Sequence, residues 1–162
     1  MKDAVVFGGS GFLGSYVVEE LARREYNVLI ADTNEPQSVL SGFDFVPCDV
    51  MNVGEVERAV SGRSIVYNFA GFANLDASID RPRETIEKNV IGTINVLEAC
   101  RGVDIERFIY ASSAYALSTK GSFYGISKFA SEKIVEEFYN RFSIPFSIVR
   151  YGSLYGERAN PD

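Results

Sequence analysis

The sequence predicts one α/β domain built as a doubly wound parallel sheet of six or more strands with helices on both faces. Three observations carry this. Short apolar runs alternate with stretches of helical spacing along the chain. The runs show little polar alternation, as strands covered on both faces do. A glycine-rich turn stands between the first run and the first helical stretch. With 162 residues, 46% hydrophobic and 23% charged, the chain is long enough for one core, and its composition fits neither a disordered nor a membrane protein.

Residues 4–8 (AVVFG) read as the first strand. Phe12, Leu13, Tyr16, Val17 and Leu21 have helical spacing and predict a helix over 12–24. Residues 27–31 (NVLIA) and 43–47 (FDFVP) are the second and third strands. A short helix over 53–60 follows, with Asn52 as its N-cap. Residues 64–69 (SIVYNF) form a fourth strand, and 82–100 a helix with Pro82 in its first turn. Residues 107–111 (RFIYA) are the fifth strand, 123–142 a long helix and 145–149 (PFSIV) the sixth strand. The polar, turn-like stretch 157–162 reads as the end of a first domain, with no closing element.

Charge and composition exclude several functions. The net charge of −6 argues against a nucleic-acid grip through phosphates, which needs a basic face. The absence of histidine removes Ser-His triads and histidine metal sites, and no metal site is expected. Cys48 and Cys100 form no C-x-x-C pair and read as small buried apolar residues of a reducing, cytoplasmic setting. The run from Ala4 to Val18 is uncharged but holds four glycines, unlike a signal peptide. No stretch approaches the length of a membrane span.

Residues 8–14 read GGSGFLG, where Gly8, Gly11 and Gly14 fit G-x-x-G-x-x-G. Such a turn lets a pyrophosphate approach the backbone, and the helix opened by Phe12 and Leu13 offers unpaired N–H groups to the anion. Asp32, at the end of the second strand, can accept from adenosine ribose hydroxyls and would repel a 2′-phosphate. No arginine follows it closely.

Three further signals complete the pattern: Asn68-Phe-Ala-Gly71 after the fourth strand, Ser112-Ser113 after the fifth, and Tyr124-Gly-Ile-Ser-Lys128 (Y-x-x-x-K) at the start of the long helix. With GGSGFLG they make the chain resemble the short-chain dehydrogenase/reductase superfamily and its Rossmann fold. The extended branch, the NAD-dependent epimerases and dehydratases of nucleotide sugars, is the nearer likeness. The resemblance runs through all 162 residues and includes Asp49-Val50, the stretch from Asn89 to Ala99, and Arg150-Tyr-Gly-Ser-Leu-Tyr-Gly156. It implies NAD as cofactor. Gly8, Gly11, Phe12, Leu13 and Gly14 would hold the pyrophosphate, Asp32 the ribose, and Asp49 and Val50 the adenine. Phe69, Ala70 and Gly71 would line the channel, with Ser112, Tyr151, Gly152 and Ser153 nearer the nicotinamide. Asn89 would help fix the site's geometry. Ser113, Tyr124 and Lys128 would be catalytic, with Tyr124 and Lys128 also touching cofactor.

The residues agree with that chemistry. A free tyrosine, with pKa about 10, is a poor base at neutral pH. A lysine at i+4 places a cation near the phenol and favours the phenolate. A blander alternative makes Lys128 a solvated lysine paired with Glu132.

The family's dehydratases carry an Asp-Glu pair after the serine, and its decarboxylases a glutamate; here Ala114 and Tyr115 stand there. That leaves C4 epimerisation through a 4-keto sugar, or a net reductase or dehydrogenase, or a non-catalytic NAD-binding module. The RYGSLYGER stretch resembles epimerases of surface-polysaccharide pathways. Only 10 residues separate Ser113 from Tyr124, fewer than in the extended branch. The expected substrate is a nucleotide-diphosphate sugar. The whole chain, 1–162, reads as the NAD-binding domain, with the carboxy-terminal substrate domain absent. The resemblance also implies a homodimer through helices 84–101 and 123–142. Ile86, Val90, Ile94 and Leu97 would face it on the first, and Phe129, Ile134, Val135 and Phe138 on the second; burial within the monomer explains the same pattern.

Overall fold

A computed structural model describes residues 2–159. The carboxy-terminal turn expected over 157–162 lies partly outside them, from 160 on. Six parallel strands form one sheet: β1 (Asp3–Phe7), β2 (Asn27–Asp32), β3 (Asp44–Pro47), β4 (Ile65–Asn68), β5 (Arg107–Ser113) and β6 (Phe146–Tyr151), in the order β3-β2-β1-β4-β5-β6. Phe7 is in register with Ala31 on one side and Asn68 on the other, and Ser113 with Tyr151. The six strands lie within a few residues of the apolar runs that predict them.

Strand alternation divides the core. Val5 and Phe7 pack with Leu29, Val66, Phe108 and Tyr110 under α2 (Val53–Val60), the α5 helix (Gly92–Cys100) and α6 (Ser122–Phe142). Ala4 and Val6 pack with Val28, Ile30 and Ile65 under α1 (Phe12–Arg23) and Leu40 of a short 3₁₀ turn. Both faces carry helices, unequally. Each buried large aliphatic or aromatic side chain stabilises the fold by about 1.5–3 kcal/mol.

Local sequence explains the ends. The Asn52 side chain accepts from Glu55 N and caps α2 as expected. The α6 helix ends at Ser143 in the left-handed region (φ 58°), and Pro145 two residues on cannot continue it.

The single helix expected over 82–100 is broken in its hydrogen bonding. After α3 (Ala77–Asp80) comes α4 (Pro82–Ile86), then a π segment (Glu87–Ile91), then α5. Asn89 sits in that π segment with its carbonyl turned to side-chain donors, Thr93 Oγ1 at 2.7 Å and Ser131 Oγ at 2.9 Å. An apolar period near 3.6 does not reveal one locally inserted residue. The apolar residues of these helices also divide: Leu97 and Val135 are in the monomer's core, with Ile134 and Phe138 packed against it. Ile91, Phe123, Ile126 and Phe129 are exposed, as are Tyr139 and Phe142 at the far end of α6.

Candidate active site

Chain order reverses between β1 and β4, so the loops leaving their carboxyl ends part and open a crevice. A cleft of about 530 Å³ lies there. It brings together Gly8, Gly11, Phe12, Leu13 and Gly14 from the glycine turn and Asp32, Asp49 and Val50 from β2 and the loop after β3. Phe69, Ala70 and Gly71 come from the end of β4, and Ser112, Ser113, Tyr124, Lys128, Tyr151 and Gly152 from the ends of β5 and β6 and the start of α6.

The glycine turn has separable parts. At Gly14 a Cβ would stand 2.1 Å from the Gly8 carbonyl oxygen, so this glycine seats α1 against the turn. At Gly11 a Cβ would meet only the Gly8 oxygen, at 3.3 Å; this residue borders the cleft. Gly11 is also the N-cap of α1 and lends no side-chain acceptor. The first N–H groups of the helix therefore remain for an anion, a cradle that fits a cofactor pyrophosphate. Asp32 is pre-aimed beside it: Ser10 N donates to Oδ2 and Asn34 N to Oδ1, both at 3.0 Å. Each oxygen keeps a lone pair for a ribose hydroxyl. Val50 is held in the wall by Asn95 Nδ2, which donates to its carbonyl at 2.8 Å. The residues present fit NAD.

At the other end, Ser113 closes β5 and accepts from Tyr115 N at 3.2 Å, which opens a 3₁₀ turn (Ala114–Leu117). Gly121 and Gly125 let α6 start against this turn; a Cβ on either would lie 2.6 Å from the Tyr115 carbonyl. Tyr124 is thereby set over Ser113. Lys128, one turn on, is buried, with Nζ 5.8 Å from the Tyr124 ring centre and donating to the Ala111 carbonyl at 2.9 Å. It is no solvated lysine and does not pair with Glu132. Burial pushes the Lys128 ammonium down to about 8. Burial raises the Tyr124 phenol above its usual range, partly offset by the Ser113 hydroxyl. Positive charge placed beside the phenol would favour its phenolate.

Two expected residues lie off the wall. Ser153 is exposed after β6. Asn89 is buried behind the cleft, where its side chain accepts from Phe72 N at 2.6 Å and donates to Ser127 Oγ at 2.8 Å. It acts through the loop it pins: Gly71 has φ 153°, and a Cβ there would stand 2.4 Å from Asn89 Oδ1. Thr33, Asn34, Cys48, Ala73, Lys88 and Leu154 also line the cleft. Adjacency to Asp32 and Asp49 could have flagged the first three; Lys88 lies on a helix and carries no motif. Burial pushes the Cys48 thiol up to about 11, which keeps it inert. Among the described residues, no group of His, Cys, Asp and Glu could hold a metal ion.

Comparison with known proteins gives the same site a family. The model of the NAD-dependent epimerase/dehydratase family matches residues 4–162. A putative UDP-glucose 4-epimerase of Methanocaldococcus jannaschii is 29% identical over 97% of this chain and 57% of its own length. A UDP-N-acetyl-alpha-D-glucosaminuronate decarboxylase of Bacillus cytotoxicus is 27% identical over 98% of this chain and 56% of its own length. The structure of Thermus thermophilus UDP-glucose 4-epimerase in complex with NAD is similar with a TM-score of 0.90, at 30% identity over 99% of this chain and 58% of that one. The chain thus spans little more than half the length of these relatives. With its six-stranded Rossmann sheet, glycine cradle and Ser-Tyr-Lys cluster, it belongs to the NAD-dependent epimerase/dehydratase family.

Proposed function

We propose that this chain binds NAD and supplies the proton-transfer half of a nucleotide-sugar 4-epimerase. The observation that carries this is the meeting of Ser113, Tyr124 and Lys128 in the cleft that holds the glycine cradle. Bound NAD would supply the acceptor for the C4 hydride and its donor on return. Tyr124, as phenolate, takes the C4 hydroxyl proton at its phenolic oxygen, while Ser113 Oγ steadies the sugar oxygen. Lys128, beside the Tyr124 ring, would favour the phenolate against the rise that burial causes, and bound oxidised NAD would add positive charge. After the 4-keto sugar turns over, Tyr124 returns the proton to the oxygen as hydride reaches the other face. Carbon, hydride and proton all balance with no net redox change.

Position and chemistry favour epimerisation over elimination or decarboxylation. The family's carboxylate positions after the serine hold Ala114 and Tyr115, so no carboxylate stands there to serve loss of water or of carbon dioxide. A UDP-hexose is the substrate class the similar proteins suggest.

The test is to incubate the protein with NAD and UDP-galactose or UDP-glucose, following sugar interconversion and absorbance of reduced cofactor together. Interconversion without accumulating NADH is expected, falling at least about 10²-fold in Tyr124→Phe. Steady accumulation of NADH instead would establish the dehydrogenase reading. NAD binding with wild-type turnover in Tyr124→Phe would discard Tyr124 as the base. A homodimer through α4–α5 and α6 belongs to the same proposal, seated on the exposed Ile91, Phe123, Ile126 and Phe129. No helix among the described residues is long and apolar enough to cross a membrane; a cytoplasmic location is part of the proposal.

A further inference from the structure

The end of β5 is bolted to α6 by consecutive residues. Ala111 offers its carbonyl to Lys128 Nζ, and Ser112 Oγ donates to Glu132 Oε1. Lys128 and Glu132 stand one turn apart on the same helix, are opposite in charge, and are both buried. Away from water the attraction within such a pair grows, and at i, i+4 it can close across one turn, though less favourably with the lysine first. Here it does not. Arg150 of β6 reaches in from the sheet's edge and takes both carboxylate oxygens, Nε to Oε1 at 2.8 Å and Nη2 to Oε2 at 2.7 Å. The Glu132 side chain is 0% exposed, that of Arg150 43%. The two-pronged grip is the geometry guanidinium groups favour.

We propose that Arg150 is a positioning residue for Lys128: by occupying both oxygens of Glu132 it keeps that carboxylate from closing on the lysine, and so leaves the ammonium on the Ala111 carbonyl and facing Tyr124. The inference rests on the reading of Tyr124 and Lys128 as the proton-transfer pair. Nothing in the comparisons or the motif assigns Arg150 or Glu132 such a part. Burial pushes the Glu132 carboxyl up, but hydrogen bonds from Arg150 and Ser112 outweigh it and hold it below the usual carboxylate range. It is therefore a standing anion one helical turn from Lys128.

Tyr124 on its own helix and Tyr110 on β5 face Lys128, with ring centres 5.8 and 5.1 Å from Nζ; Tyr151 on β6 and Lys88 of the π segment line the same cleft. None is a carboxylate. Asp32 and Asp49 line the same cleft from β2 and the loop after β3; β2 lies three strand positions from β5, about 14 Å.

The experiment follows the ionisation of Lys128 directly, by NMR of the full chain labelled at lysine side chains, with the resonance assigned by its loss in Lys128→Met. In Arg150→Met, Glu132 is freed and the Lys128 titration midpoint is expected to rise by about 1–3 pH units. The double variant Glu132→Gln/Arg150→Met removes the competing anion and is expected to return the midpoint toward the wild-type value. The pH profile of sugar-nucleotide turnover should move with it, in kcat more than in KM. A role confined to fold stability would lower the melting temperature and leave the midpoint in place, and that result overturns the proposal. Arg150→Lys keeps the charge but grips one oxygen; a partial rise is expected, and it decides the matter if the methionine variant does not fold. Turnover at the wild-type rate in Tyr124→Phe would instead defeat the catalytic reading, whatever Lys128 does.

Discussion

Lys128 holds a charge where the fold least favours one. Its ammonium is buried and its pKa is pushed from the usual 10.5 down to about 8 by loss of water. Between those values the unfolded chain binds more protons than the folded one, so stability rises with pH through that window. Below it, burial of the ammonium costs on the order of 3 kcal/mol, since each pKa unit is about 1.4 kcal/mol. Lys128→Met is therefore expected to be more stable than the parent at pH 7 and to lose the advantage by about pH 10. Denaturant melts of both proteins at the two pH values check this; a constant difference would contradict it. Tyr124 and Lys128 were legible because their spacing is a motif and their residue types are chemical. Lys88 was not, because a lone helix lysine is ordinarily solvated.

The turn between β1 and α1 shows two kinds of necessity within one motif. Gly14 answers to packing: its Cβ would run into backbone, which cannot move aside. Gly14→Ala is expected to destabilise the protein by about 3 kcal/mol or more. Gly11 answers to the ligand: Gly11→Ala should keep stability within about 1 kcal/mol while NAD affinity falls about tenfold or more. Thermal melts and NAD titration by calorimetry separate the two; equal losses of stability would refute the division. The π segment is the element the sequence hid. Helical periodicity makes Asn89 an ordinary position in it, and only its bonds to Ser131, Ser127 and Phe72 disclose the distortion.

On the scale of the molecule, the sheet order places the cleft, and α6 carries exposed apolar residues outside it. Ile91 of the π segment and Phe123, Ile126 and Phe129 of α6 are exposed, and the proposed symmetric partner would bury them. Sedimentation at micromolar concentration is expected to give a dimer, and Phe129→Glu with Ile126→Glu a monomer of unchanged fold. A monomer in the parent would refute the interface. By itself the sequence determined the succession of strands and helices, the glycine turn, the Asp32 carboxylate and the tyrosine–lysine pair, because each depends on residues within a few positions of one another. The tertiary structure alone decided which apolar helix residues enter the monomer's core, that Asn89 turns behind the cleft, and that Glu132 goes to Arg150 instead of Lys128. Helical periodicity marks a face but does not say what covers it. Which buried charges and amides meet is set by the order in which distant strands lie side by side.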